Sequence, residues 1–302
     1  MTTQAAPVGA KAGAGASAAV KTVAVVGGGT MGNGIAQTFA TAGFDVELID
    51  VKLDFVERAL NTIGRSLERV AKKQGWPTDQ ALSIVRRIRG GTSLDAARDC
   101  QIVIEAVSEE FSLKKQVFES LDRLAPAEAV LATNTSSISI TEIAAVTQRA
   151  DRVIGMHFMN PVPVMQLIEI IRGLATSDAT YALTEDLSKR LGKTPVEVND
   201  YPGFVINRIL MPMINEAAYA LMEGVASRES IDTVMRLGAN HPMGPLMLAD
   251  MVGLDTCLSI MEVLHQGLGD SKYRPCPLLR KMVRAGYLGC KSGRGFYEYP
   301  AA

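Results

Sequence analysis

The spacing of apolar residues changes from strand-like to helical and back within the first fifty residues of the chain. Residues 23–26 are a continuous apolar run, which is typical of a strand that is covered on both faces. Glycines follow, then apolar residues at helical spacing as far as Gly43, and then an alternating segment that ends at Asp50. The pattern predicts a strand, a tight turn, a helix and a second strand over residues 21–50.

Short apolar runs and helical stripes continue to alternate as far as residue 200. Helices are predicted over residues 53–74, 79–89, 113–124, 140–146 and 177–191, and strands over residues 102–104, 130–132, 153–156, 165–171 and 195–198. This order of strand, helix and strand indicates an α/β domain with a mostly parallel sheet of the Rossmann type.

The character of the chain changes near residue 201. Strand patterns nearly vanish beyond this point, and helical stripes occupy residues 204–224, 227–237, 245–267 and 277–285. We therefore predict an α/β domain over residues 21–200, followed by an all-helical C-terminal domain over residues 201–302. Residues 1–20 are rich in alanine and glycine, which predicts a disordered tail rather than a secretory signal.

The composition limits the classes of partner. The 302 residues carry a net charge of −1, and no apolar run reaches the length of a transmembrane helix. Nothing in this balance favours nucleic acid or a membrane as the main partner. The four cysteines are widely spaced and form no C-x-x-C pair, so we expect free thiols in a reducing cytoplasm.

The glycine-rich turn after the first strand has the spacing of a dinucleotide-binding motif. Gly27, Gly29 and Gly32 form a G-x-G-x-x-G, in which Thr30 and Met31 precede the last glycine. The first glycine allows the tight turn, the second lets the backbone approach a pyrophosphate, and the third lets the helix pack close to the strand. The anion would lie at the helix N-terminus. A turn without function is the minor alternative, because the motif follows a strand and opens a helix.

The acidic residue at the end of the second strand bears on the choice of cofactor. Asp50 lies 18 residues beyond Gly32, where a carboxylate accepts hydrogen bonds from both ribose hydroxyls of an adenosine. The same carboxylate repels a 2′-phosphate, so it favours NAD over NADP, although Lys52 nearby weakens this preference. We expect NAD as the cofactor, and we predict no metal site.

The histidines give a short search for an acid–base group. Of the three, His265 lies in a helical stripe and His241 precedes a proline, so both are predicted to be structural. His157 ends a predicted strand, and Glu169 lies in the next one, across a turn at residues 160–163. A carboxylate beside an imidazole orients it, which suits a base that takes a proton from an alcohol. The alternative is a core histidine with a satisfied hydrogen bond.

Two further polar residues fit a substrate site. Ser136 follows the strand over residues 130–132, where its hydroxyl could donate to a substrate oxygen. It could instead cap the next helix, a role that Ser139 or Thr141 could also take. Asn207 lies on an apolar helical stripe and needs a buried partner, which is either structural or a substrate carbonyl.

Two pairs of residues have both a binding and a solvated interpretation. Glu109 and Lys114 follow a strand end where a nicotinamide ribose would emerge, but they also fit a solvated helix start. Ser66 and Lys73 are seven residues apart and share one basic helix face. Such a face is usually just solvated, and it could instead hold a phosphorylated substrate.

Together the motifs resemble the short-chain L-3-hydroxyacyl-CoA dehydrogenase family, including bacterial 3-hydroxybutyryl-CoA dehydrogenases, over residues 20–299. The segments that carry the resemblance are VVGGGTMGNGIAQ, IEAVSEE, NTSSISI, GMHFMNPVPVMQLIEII, PGFVINRI, HPMGPLMLAD, GLDT and GRGFYEY. The resemblance implies reversible oxidation of an (S)-3-hydroxyacyl-CoA to a 3-ketoacyl-CoA with NAD. It also implies a homodimer formed through the helical domain.

The resemblance also implies a role for each matching residue. His157 resembles the general base, Glu169 its orienting partner, and Ser136 the hydroxyl that contacts substrate and nicotinamide. Asn207 resembles the residue that positions the substrate. The contacts that the resemblance further implies are those of Asn134, Glu109 and Lys114 with the cofactor, of Ser66 and Lys73 with coenzyme A, and of Asn160 near the thioester.

One departure from the family and two rival functions remain at this point. The family commonly has two phenylalanines after the histidine, whereas this chain has Phe158 and Met159, which puts the shape of the pocket in question. One rival is a hydroxy-acid dehydrogenase whose substrate lacks coenzyme A. The other is a structural nucleotide-binding protein like the lens crystallins that resemble this fold.

Overall fold

The computed structural model describes residues 20–77 and 79–300. The predicted tail over residues 1–20 lies outside these residues, apart from Val20. The chain divides into two compact units, one that ends at Asp200 and one that begins at Tyr201. In the described ranges, none of the helices is both long and apolar enough to span a membrane.

The first unit is built on one eight-stranded sheet with the strand order β3-β2-β1-β4-β5-β6-β7-β8. Every neighbouring pair is parallel except β6 and β7, which are antiparallel. The strands are β1 (Thr22–Val26), β2 (Asp45–Ile49), β3 (Ile88–Gly91), β4 (Ile102–Glu105), β5 (Val130–Thr133), β6 (Val153–Phe158), β7 (Leu167–Arg172) and β8 (Thr194–Asn199). The predicted Rossmann-type, mostly parallel sheet is confirmed.

Six α-helices accompany the sheet in the described part of the first unit. They are α1 (Thr30–Thr41), α2 (Leu53–Gln74), α3 (Gln80–Val85), α4 (Phe111–Leu124), α5 (Ile140–Ala144) and α6 (Asp178–Arg190). Strand β1 is central, and its side chains Val23 and Val25 are fully buried in one core with Ile35 and Phe39 of α1. Burial of both strand and helix brings the glycine turn that joins them into a fixed position.

The predicted helix over residues 79–89 is wrong in its second half. Helix α3 ends at Val85, and the chain continues into β3, which pairs in parallel with β2 and aligns Ile88 with Val46. This strand has one apolar residue followed by Arg-Gly-Gly, so its sequence lacks the alternation of apolar and polar residues that predicts a strand. Gly90 is required because a Cβ there would lie 2.3 Å from Cγ1 of Val56 in α2.

The second unit is helical, as predicted. Its α-helices are α7 (Ile206–Met222), α8 (Arg228–Gly238), α9 (Pro245–Val252), α10 (Leu254–Leu268) and α11 (Pro277–Arg284). The single helix predicted over residues 245–267 is wrong, because Gly253 separates α9 from α10 with a φ of +101°. Only glycine adopts such a backbone conformation readily, so the break is encoded by this one residue.

Candidate active site

The glycine turn lies at the carboxyl edge of the sheet. Gly27 has a φ of +104°, and a Cβ on Gly32 would lie 1.7 Å from the carbonyl oxygen of Gly27. A Cβ on Gly29, the N-cap of α1, would meet nothing within 4 Å. The turn is therefore tight at its first and third glycines and open at the second, where backbone N–H groups of the helix start are accessible to an anion.

A cavity of about 600 Å³ opens directly beside this turn. Its lining includes Gly27, Gly29, Thr30 and Asp50 of the predicted cofactor residues, and Met31, Gly32, Glu109, Lys114 and Asn134 are not among its lining residues. Phe55 and Arg58 of α2 also line it, with the guanidinium carbon 4.6 Å from the ring centroid. The cavity has the size, the helix N-terminus and the carboxylate that a dinucleotide needs.

Asp50 holds the turn as well as facing the cavity. Its Oδ2 accepts a hydrogen bond from the backbone N–H of Gly28 at 2.6 Å, and its Oδ1 accepts one from Val51 at 2.7 Å. Each carboxylate oxygen has a second lone pair, which can accept a ribose hydroxyl. The side chain thus fixes the turn and remains able to bind the sugar.

A buried ion pair lies at the ends of β4 and β5. Lys114 and Glu105 are 1% and 0% exposed, and Nζ of Lys114 lies 2.7 Å from Oε1 of Glu105. Thr133 donates to the other oxygen of Glu105 at 2.7 Å, and Lys114 also lies 3.3 Å from Glu109. The solvated interpretation of Lys114 is therefore wrong. Glu105 was not predicted as a site residue, although a glutamate that ends a buried apolar strand is itself a signal.

Glu109 binds the loop that contains the predicted substrate serine. Its Oε1 accepts hydrogen bonds from the backbone N–H groups of Ser136 at 2.8 Å and Ser137 at 3.0 Å, and from Thr135 Oγ1 at 2.6 Å. Desolvation favours the neutral acid, but the charge of Lys114 and these hydrogen bonds outweigh it and lower the pKa of Glu109. An ionised carboxylate thus orders the serine loop.

The helix after this loop is capped by another serine. Ser139 accepts a hydrogen bond from the N–H of Glu142 at 3.2 Å and is the N-cap of α5. Ser136 therefore does not serve as the cap, so that alternative is wrong. Asp200 binds the same helix start, since its carboxylate accepts from Ser139 Oγ at 2.7 Å and from the N–H of Thr141 at 2.8 Å.

The histidine and its predicted carboxylate are in direct contact. His157 and Glu169 lie opposite each other in the antiparallel pair of β6 and β7, and Nδ1 is 2.8 Å from Oε2. Both are buried, at 7% and 2% exposure. With Glu169 ionised, Nδ1–H donates to it and Nε2 is the nitrogen that can accept a proton. Asn134 fixes the strand end, because its Oδ1 accepts from the N–H of Phe158 at 2.9 Å.

The remaining predicted residues lie on three other elements. Ser66 and Lys73 lie on α2, half-buried and exposed respectively. Asn160 is exposed in the segment between β6 and β7. Asn207 is buried in the first turn of α7, in the second unit.

One edge of the sheet unites the groups of the first unit. Strands β1, β4, β5 and β6 are parallel neighbours, so Gly27, Glu105, Asn134 and His157 all follow or end strands at the same edge. Open α/β sheets bind ligands at this edge. A dinucleotide turn and a histidine–carboxylate pair on one such edge are typical of Rossmann-type dehydrogenases.

Comparison with known families places the chain more closely. The model described as "3-hydroxyacyl-CoA dehydrogenase, NAD binding domain" matches residues 22–201, and "3-hydroxyacyl-CoA dehydrogenase, C-terminal domain" matches residues 203–299. The chain therefore belongs to the 3-hydroxyacyl-CoA dehydrogenase family and is an NAD-dependent oxidoreductase. The family resemblance and the expected cofactor are confirmed.

Curated relatives and a solved structure agree with this placement. The chain is 59% identical to the probable 3-hydroxybutyryl-CoA dehydrogenase of Bacillus subtilis (strain 168), over 93% of this chain and 98% of that protein. It is 52% identical to the 3-hydroxybutyryl-CoA dehydrogenase of Bradyrhizobium diazoefficiens, over 95% and 98%. The crystal structure of (S)-3-hydroxybutyryl-CoA dehydrogenase from Ralstonia eutropha has a TM-score of 0.91 at 54% identity, and covers 94% of this chain and 100% of that one.

Proposed function

We propose that the protein interconverts (S)-3-hydroxybutyryl-CoA and acetoacetyl-CoA with NAD as the hydride acceptor and His157 as the general base. The observation that supports this most is the 2.8 Å contact of His157 with Glu169 at the sheet edge that also holds the glycine turn. The names of the relatives at 52–59% identity support the short acyl chain.

The histidine–carboxylate pair accounts for the proton in the oxidation. Bound NAD would supply the acceptor for the hydride that leaves C3 of the substrate. Nε2 of His157 takes the proton of the C3 hydroxyl, while Glu169 stabilises the imidazolium that forms and keeps the ring oriented. In the reverse direction the imidazolium returns the proton to the ketone oxygen. The burial of both side chains strengthens their interaction, because little water screens it.

Ser136 is assigned to the substrate oxygen and to the nicotinamide. Its N–H is bound by Glu109, and its hydroxyl lies 3.3 Å from the same carboxylate oxygen. Glu109, Lys114 and Asn134 are assigned to the nicotinamide half of the cofactor, alongside Gly27, Gly29, Thr30, Met31, Gly32 and Asp50 for the adenosine and pyrophosphate. The ordered serine loop supports this assignment, since a preorganised donor needs no rearrangement during the reaction.

The coenzyme A contacts are assigned to Ser66 and Lys73 of α2, with Asn160 near the thioester and Asn207 as the amide that positions the substrate. Helix α2 supplies a basic face whose ammonium groups suit the phosphates of coenzyme A. We assign NAD and these coenzyme A contacts to residues 21–200, and further substrate binding, through Asn207, and dimerisation to residues 201–302.

Initial rates test the proposed reaction and its rivals together. We expect acetoacetyl-CoA to drive oxidation of NADH, with free acetoacetate and NADPH each poorer by at least about tenfold. Equal rates with free acetoacetate would favour the hydroxy-acid dehydrogenase. Absence of turnover with every pair would favour a structural nucleotide-binding protein. Lys73→Ala should raise KM for acetoacetyl-CoA, whereas Lys189→Ala, which removes an exposed lysine from α6, serves as the control.

We further propose a homodimer in the cytoplasm. Several apolar side chains of the second unit are exposed, which supports an interface there: Val205, Ile209, Met222, Val225, Val234, Leu237, Met247 and Met251. The cysteines support a reducing compartment, because Cys100, Cys257 and Cys276 are buried free thiols. Burial raises the pKa of Cys100 and Cys257 to about 12, so these thiols are unreactive.

A further inference from the structure

Lys193 is a buried cation that binds backbone carbonyls. It lies between α6 and β8 and is 8% exposed. Its Nζ donates to the carbonyl oxygens of Val162 and Met165, each at 2.7 Å. Burial lowers the pKa of Lys193. Burying an ammonium group costs free energy, which its hydrogen bonds must offset. The two short hydrogen bonds of Lys193 therefore indicate a specific structural role.

Both carbonyls belong to one turn, residues 159–166, which joins β6 to β7. Within the turn the carbonyl of Pro161 accepts from the N–H groups of Val164 and Met165, each at 3.0 Å. These backbone bonds close the turn locally but leave the carbonyls of Val162 and Met165 for Lys193. One flexible side chain with several donors can satisfy both, and it thereby ties the turn to the start of β8.

The opposite side of the same turn packs against the cofactor helix α1. Val162 is 2% exposed, and a Cβ on Gly34 would lie 2.9 Å from Cβ of Val162 and 3.5 Å from Cδ of Pro163. Only a glycine at position 34 lets the turn approach the helix this closely. The turn is therefore held between α1 on one side and Lys193 on the other.

We infer that Lys193 is a positioning residue, which places Asn160 against the acyl-CoA thioester by fixing the turn over residues 159–166. The inference rests on the proposed reaction and on the role assigned there to Asn160. Asn160 is an exposed side chain at the start of this turn, so its position depends on the backbone that follows it. A displacement of about 1 Å in a substrate-positioning group can lower the rate by about a hundredfold.

A double-mutant cycle on acetoacetyl-CoA reduction tests this dependence. Lys193→Met keeps the length of the side chain and removes its donors, and it should lower kcat/KM for acetoacetyl-CoA by about tenfold. In an Asn160→Ala background the same substitution should change kcat/KM by less than about twofold, because Lys193 acts through Asn160. The dissociation constant of NADH should stay within about twofold in every variant, since the contacts of the cofactor turn are unchanged.

Matched variants separate positioning from a general loss of stability. Lys189→Met removes an exposed lysine from the end of α6 and should leave kcat/KM unchanged. Gly34→Ala displaces the same turn from its other side, and its loss of kcat/KM should likewise vanish in the Asn160→Ala background. Gly64→Ala on α2, where a Cβ meets nothing within 4 Å, is its control. If Lys193→Met does not fold, the Gly34→Ala cycle still tests whether displacement of the turn lowers kcat/KM through Asn160.

Two results would overturn the inference. One is a full tenfold loss of kcat/KM for Lys193→Met in the Asn160→Ala background, since additive losses indicate independent action. The other is unchanged kcat/KM with only a lower unfolding temperature, since that indicates a purely structural lysine. Failure of the proposed reaction is distinct from both, because it would show as an inactive unmodified protein.

Discussion

At the scale of single residues, three carboxylates of the first unit each fix one functional group. Asp50 holds the N–H of Gly28, Glu109 holds the N–H of Ser136, and Glu169 holds the imidazole of His157. Bonds to an ionised acceptor are stronger than neutral ones. Each carboxylate therefore supports a different part of the site: the glycine turn, the serine loop or the imidazole. Substituting the three residues one at a time can separate these roles.

Asp50→Ala should weaken the binding of NADH. The substitution removes the acceptor of the ribose hydroxyls and of the N–H of Gly28, so we expect KM for NADH to rise by about tenfold. The preference for NADH over NADPH should shrink, because the 2′-phosphate no longer meets a negative charge. Steady-state rates with both cofactors measure this, and Asp54→Ala on the exposed first turn of α2 is the control. An unchanged NADH to NADPH ratio would contradict the role of Asp50.

The lowered pKa of Glu109 should make the stability of the folded protein depend on pH in acid. Its pKa is lower in the folded protein than its ordinary value, because Lys114 and the loop hydrogen bonds favour the anion over the opposing effect of desolvation. In acid, just below the ordinary pKa, the unfolded chain therefore binds more protons, and the free energy of unfolding rises with pH there. The contribution is present above the unfolded pKa and is lost as pH falls through the folded pKa. We expect the free energy of unfolding, measured by urea titration at several pH values from 3 to 6, to rise less steeply with pH in Glu109→Gln than in the unmodified protein. An identical dependence on pH in the two proteins would argue against this role of Glu109.

At the scale of elements, the sequence pattern predicted those with a clear period and missed those that depend on contacts. Helix α2 runs from Leu53 to Gln74 as predicted, because its apolar stripe and the terminal Gly75 are both local signals. Strand β3 escaped prediction because it is defined by pairing with β2 and not by its own apolar residues. Gly253 breaks a continuous apolar stripe, and periodicity alone does not register the φ of one residue.

The site shows the same division between local and distant information. The pairing of His157 with Glu169 could be predicted, since a short turn joins two strands that each carry one partner. The ion pair of Glu105 with Lys114 could not, because a charged helix residue reads as solvated until its burial is known. The contacts of Lys193 could not be predicted either. Its acceptors are backbone carbonyls about thirty residues away, and every residue type carries a backbone carbonyl.

The glycine turn gives a prediction at the scale of an element. A Cβ on Gly32 would lie 1.7 Å from the carbonyl of Gly27, so Gly32→Ala must push α1 away from β1. We expect the affinity for NADH to fall by about tenfold or more, measured by fluorescence titration. Gly64→Ala meets no neighbour and should instead raise the free energy of unfolding by ~0.5–1 kcal/mol. Equal NADH affinities in the two variants would contradict the packing role of Gly32.

At the scale of the whole molecule, the assembly can be tested through helix α8. Val234 and Leu237 are three residues apart on this helix and are 64% and 74% exposed. Sedimentation velocity should show a dimer for the unmodified protein, and Val234→Lys with Leu237→Lys should shift it towards the monomer, because an apolar contact would be replaced by two charges. Leu82→Lys, which changes an exposed apolar residue of the first unit in the same way, is the control. A monomer in the unmodified protein would contradict the proposed dimer.

The most direct test of the proposed chemistry is the rate of NADH oxidation by acetoacetyl-CoA in a His157→Ala variant. General acid–base catalysis contributes a factor of about 10²–10⁴, and His157 acts as the acid in this direction, so kcat should fall by that much while the affinity for NADH stays within about twofold. His241→Ala, which alters a histidine of the second unit, should retain the full rate. A His157→Ala variant that turns over acetoacetyl-CoA as fast as the unmodified protein would show that the proton is handled elsewhere.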